Sequence, residues 1–85
     1  MHIDIERVHA LCRRAKGAQI LASLQHRTVP GLAEIQEAAE ALQDGKDNLP
    51  STALGLAIMD RIAAGESLRS VCPEAWELMY GPPKS

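Results

Sequence analysis

The chain contains no phenylalanine, and its single tryptophan and single tyrosine, Trp76 and Tyr80, stand four positions apart. Any core must therefore be assembled from Leu, Ile, Val, Met and many Ala, whose small side chains let helices approach closely. Eighty-five residues suffice for one domain, and a chain of this size buries roughly 60–65% of the surface its unfolded form exposes. With 46% apolar and 24% charged residues, the composition is ordinary for a soluble globular protein and indicates neither a disordered nor a membrane class.

Apolar spacing points to helices throughout. Asp4 is placed to cap a first helix, in which Ile5, Val8, Leu11, Cys12 and Ala15 fall on one side at 100° per residue. Beyond Gly17 the stripe moves to Ile20, Leu21 and Leu24, which predicts either a bend or a second neighbour; that neighbour is another helix of the chain or a second copy of it. Val29-Pro30-Gly31 ends this element and starts another, since proline suits a first helical turn and disfavours helix in the residue before it. From Leu32 to Asp44 one side carries Leu32, Ile35, Ala38, Ala39 and Leu42, and the other carries Glu34, Glu37, Glu40 and Asp44.

After Gly45, the stretch 46–51 combines turn and helix-start residues. A third helix over about 51–64 is apolar around more than half its circumference, which predicts the central, most buried element. Ser67 is a cap for a short fourth helix, and Pro73 interrupts it or begins a fifth. No stretch alternates with a strand's period of two. The expectation is an all-α fold, a small bundle of four to five short helices forming one domain over 1–81, with a flexible tail at 82–85.

Charge is unevenly spread. Residues 1–30 hold five basic and two acidic residues, residues 31–50 hold one and five, and residues 51–85 hold three and four. No broad basic face for phosphates emerges. No stretch reaches the ~18 apolar residues of a spanning helix, and the start lacks a signal peptide's apolar run, which points to a cytoplasmic protein without a membrane partner. Cys12 and Cys72 form no CxxC pair, and two buried thiols in a reducing compartment fit them better than a disulfide.

Residues 57–72, AIMDRIAAGESLRSVC, resemble the start of the helix-turn-helix in phage terminase small subunits and related DNA-binding proteins. The resemblance covers about a fifth of the chain and implies a recognition helix after Cys72, with Arg13, Lys16, Ser67 and Arg69 as nucleic-acid contacts. The segment that follows departs from this: PEAWELMYG offers Glu74, Glu77 and a large apolar face where base edges and phosphates call for Arg, Lys, Asn or Gln.

Catalysis and metal binding find little support. His2, Glu6 and His9 share one side of the first helix and His9 and Cys12 have ligand-like spacing, but a metal site needs a further ligand from Cys72 or His26. Nothing resembles a nucleophile elbow, a phosphate-binding glycine loop or an HExxH pair, so no catalytic residue, metal or cofactor is expected. Two features suit protein contact instead. Glu37, Glu40 and Asp44 form an acidic stripe with almost no cation at i+4, fitted to a basic partner surface. Trp76, Met79 and Tyr80 are residue types that anchor interfaces. The sequence thus reads as a non-enzymatic module that binds another protein, with a homodimer as one form, and acts as a regulator or inhibitor of phage or mobile-element type. Helix-turn-helix DNA binding, as a transcription regulator or packaging protein, is its rival.

Overall fold

A computed structural model describes residues 4–45 and 48–81. Its elements are four α-helices: α1 (Ile5–Leu24), α2 (Leu32–Asp44), α3 (Ala53–Ala63) and α4 (Pro73–Tyr80). No strand occurs among the described residues, and no helix there is long and apolar enough to cross a membrane. The proposed tail at 82–85, together with His2, Lys46 and Asp47, lies outside the described residues.

α1 is the spine. Its 20 residues span about 30 Å at ~1.5 Å each, nearly the 35 Å long axis of the molecule. Asp4 caps it as its sequence position predicts, accepting from the backbone N–H groups of Glu6 and Arg7. The helix continues unbroken through Gly17, so the moved stripe is not a bend. The core stripe runs on as Ala15, Ala18 and Ala22, all buried, while Ile20 and Leu24 face outward at 64% and 74% exposure. Size misled the periodicity: large residues mark the solvent side here, and alanines mark the seam.

That seam holds α2 antiparallel to α1. Ala38, Ala39 and Ile35 of α2 are fully buried in the same core as the α1 alanines, and small residues on both helices let the axes come close. Polar rungs border the apolar strip. Gln19 donates to Gln36, which donates to Glu40 at 3.1 Å. At the other end Gln43 joins His9 to Cys12, accepting from the Cys12 thiol at 3.5 Å.

α2 begins at Leu32 with Gly31 as its N-cap, so Pro30 lies before the cap and not in the first helical turn. Gly31 has φ +86°, and a Cβ there would meet Cys72 Sγ and lie 3.1 Å from Cys72 Cβ. Both the backbone and the packing exclude a side chain at this position. Cys72, at the end of the 64–72 loop, therefore lies directly against the start of α2.

α3 differs from its sequence-based reading. Only Gly55 and Ile58 of α3 are buried, while Leu54 and Leu56 are 42% and 39% exposed. The physical reason is its position: α3 packs chiefly on α2, α4 packs on α1, and among the described residues nothing covers the outer side of α3. α2, between α1 and α3, is the central element. The short helix expected after Ser67 is a single turn, Leu68 to Val71, closed by the Cys72 N–H on the Leu68 carbonyl at 2.8 Å. Pro73 then opens α4 in its first turn, where its missing N–H costs nothing.

Candidate functional site

The segment AAGES is a helix stop of well-defined geometry. Gly65, at φ +78°, donates to the Ile62 carbonyl, and Glu66 donates to the Arg61 carbonyl, both at 3.0 Å. This is the paired bonding of a Schellman motif, and the Arg61–Glu66 ion pair at 2.7 Å closes over it. Ser67 Oγ accepts from the Arg69 N–H at 3.2 Å, and Leu68 turns into the core. Residues 64–72 separate α3 from α4, whereas a helix-turn-helix joins its two helices by about three or four residues.

The loop, the start of α1, the end of α3 and α4 enclose a groove of about 420 Å³, within the size range of small binding clefts, ~300–1,000 Å³. Its floor is aliphatic, from Val8, Leu11, Ile62 and Leu68, and its wall is Trp76 and Tyr80. The two rings lie 5.2 Å apart between centroids, tilted by 30°. Arg69 stands over Trp76 at 5.1 Å, and Arg14 stands over Tyr80 at 4.6 Å. Each ring thus has one guanidinium over it, where a cation meets the electron-rich face. Arg14 also donates to the Met79 carbonyl at 3.3 Å, satisfying one of the free carbonyls at the end of α4.

Charges around the groove are unequally matched. Asp4 is occupied in capping α1, and Glu66 is paired with Arg61. Arg7 lines the groove and Arg14 and Arg69 stack on its wall, yet none of the three has a carboxylate within ion-pair distance among the described residues.

Of the six residues proposed for protein contact, two sit here: Trp76, half-buried, and Tyr80, 44% exposed. Met79 turns into the core at 8% exposure and is unavailable as a surface anchor; its place on α4, beside Ala75, faces α1. The acidic residues lie elsewhere, around a shallow hollow lined by Glu37, Glu40, Asp44, Asn48 and Leu49. Glu37 is committed internally, accepting from the Ser51 N–H at 2.6 Å just before α3. Glu40 accepts from Gln36, and Asp44 from Asn48 at 3.3 Å.

The four residues proposed for nucleic acid are not gathered on one surface. Ser67 lines the groove and Arg69 covers Trp76, whereas Arg13 and Lys16 are exposed on the side of α1 away from α4. Sequence reasoning passed over Arg7 and Arg14 as site residues, although their seven-residue spacing places both on one side of α1.

Among the described residues no group of His, Cys, Asp and Glu is placed to hold a metal ion. Cys12 is bound to Gln43, Cys72 packs on Gly31, and His26 lies past the end of α1. Both cysteines are free and buried. Burial pushes the Cys12 thiol up, with Glu40 adding to the shift and Lys16 opposing it; burial and then Glu34 push Cys72 up. Neither is a poised nucleophile, because a reactive thiol needs a lowered pKa. Comparison with protein-family models, curated proteins and solved structures finds no match.

Proposed function

We propose that the chain is a non-enzymatic protein-binding module, a small cytoplasmic helical bundle whose partner engages the groove between α1, the end of α3 and α4. The observation that carries this reading is the aromatic wall: Trp76 and Tyr80 border an aliphatic cleft, with Arg69 over the one ring and Arg14 over the other. Aromatic anchors beside a hydrophobic hollow are the usual energetic centre of a protein interface. A regulator or inhibitor of phage or mobile-element type is the role that fits a small module of this kind. The acidic side of α2 is a secondary surface at most, since Glu37 already serves the chain itself.

Affinity capture from the native cell tests the reading, with Tyr80→Ala and Glu40→Lys compared against the wild-type chain. A co-purifying protein that is lost with Tyr80→Ala and kept with Glu40→Lys is the expected result. Duplex DNA shifted at micromolar protein and released steeply by salt would instead support the helix-turn-helix rival.

A further inference from the structure

α1 is covered on one side only. Val8, Ala15, Ala18 and Ala22 form its buried seam, and at ~100° per residue Arg13, Ile20 and Leu24 lie on the opposite side. Lys16 flanks that outward line and is exposed, as is Gly17, where an added methyl group would touch nothing within 4 Å. Leu24, Ile20 and Leu49 are, in that order, the most exposed large apolar side chains among the described residues. Leu49 stands elsewhere, beside the exposed Glu40 and Asp44, on the hollow between the end of α2 and the loop into α3.

These two faces carry opposite charge. Residues 7–33 hold five Lys and Arg and no Asp or Glu, whereas residues 28–45 hold four Asp and Glu and no Lys or Arg. Among the described residues, neither Arg13 nor Lys16 has a carboxylate within ion-pair distance, and Glu40 and Asp44 hold only the neutral amides of Gln36 and Asn48. Like charges one helical turn apart repel, so each face gains when the other sign meets it. The order along the chain also agrees. Two cations precede Ile20 and Leu24, and two carboxylates precede Leu49. The outward line of α1 points away from α2, so the two faces cannot meet within one molecule.

We propose that the outward line of α1 docks on the hollow at the end of α2 in a second copy of the chain: Arg13 and Lys16 pair with Glu40 and Asp44, while Ile20 and Leu24 cover Leu49. The two patches differ, so the contact is heterologous and adds copies head to tail instead of closing a pair. Packing α1 against its own counterpart would bring cations together with no carboxylate in residues 7–33 to offset them. This surface lies away from the groove and does not rest on it.

Sedimentation of the full chain at low salt over a range of concentrations is the test. The mean mass should rise with concentration past that of a dimer and fall back when salt is added. Arg13→Glu with Lys16→Glu forms one variant, and Glu40→Lys with Asp44→Lys forms the other. Each alone should associate at least tenfold more weakly, and mixing the two should restore association, because every contact is then again between opposite charges. Leu24→Ser should weaken association about tenfold through lost apolar burial. Circular dichroism checks that each variant keeps its helicity.

A wild-type chain that stays monomeric up to ~1 mM would overturn the proposal. So would growth that stops at a dimer, or a mixture of the two charge variants no more associated than either alone. Binding of a monomeric chain to vesicles of phosphatidylserine and phosphatidylcholine, lost in Leu24→Ser, would assign the outward line of α1 to a lipid surface instead.

Discussion

Arg14 reaches from the middle of α1 to the far end of the chain, where its guanidinium covers Tyr80 at 4.6 Å and donates to the carbonyl of Met79 at 3.3 Å. One side chain thus supplies a cation–π contact, a charge-assisted hydrogen bond and a positive charge at the C-terminus of α4. Arg14→Ala should lower stability by about 1–2 kcal/mol in urea denaturation. Arg14→Lys should recover only part, because an ammonium cannot stack and donate in the same plane. An unchanged midpoint for Arg14→Ala would show that the contact contributes nothing in solution.

At Gly31 two penalties coincide. Alanine there must adopt φ +86° and place its methyl against Cys72 Sγ. Gly31→Ala should cost about 2–4 kcal/mol, from left-handed strain and overpacking together. Adding Cys72→Ala removes the steric part and should leave about 1–2 kcal/mol of strain. A double variant no more stable than Gly31→Ala alone would separate the glycine's role from Cys72.

His26 offers the opposite opportunity. It ends α1 with φ 54°, its N–H on the Ser23 carbonyl and the Arg27 N–H on the Ala22 carbonyl at 2.9 Å, the same stop that Gly65 makes for α3. A non-glycine residue is strained in this conformation, so His26→Gly should raise stability by about 0.5–1 kcal/mol, with the gain limited by the freer unfolded chain. Thermal melts of the two proteins decide it, and a lower melting temperature for His26→Gly would mean that the imidazole makes a stabilising contact.

The thiols give the pH dependence a definite sign. Burial raises both above the ordinary value of 9.0, so the folded chain holds these protons more tightly than the unfolded chain. Their contribution to stability is undiminished below pH 9 and falls as the pH climbs beyond it. Replacing Cys72 with alanine should flatten the alkaline limb of a denaturation series between pH 8 and 10.5. Alkylation should be slow in the native protein and accelerate with denaturant, which a mass-spectrometric time course would reveal.

The amphipathic pattern of residues 32–44 made α2 legible to the residue, because large apolar side chains and carboxylates fall on opposite sides of it. Asp4, Gly45 and Gly65 were equally readable, since capping and left-handed turns depend on local chemistry alone. Burial was not. Ala15, Ala18 and Ala22 line the main seam while Ile20 and Leu24 face solvent, and a pattern weighted by side-chain size inverts that choice. α3 looked central for the same reason, although only its neighbours decide which of its apolar residues are covered. In the site, Trp76 and Tyr80 announced themselves by type, whereas Arg7, Arg14 and the aliphatic floor come from three separated segments that only tertiary folding brings together.

The bond from Arg14 to Met79 joins positions 65 residues apart, while α2 meets its partners α1 and α3 through short connections. Ring closure over so long a loop is entropically the dearest step of assembly. α4 should accordingly dock last and detach first, opening in sub-global fluctuations that leave the α1–α2–α3 hairpins zipped. Amide exchange along α4 would then outpace exchange in α2, and the wall of the groove would be the part of the molecule that breathes.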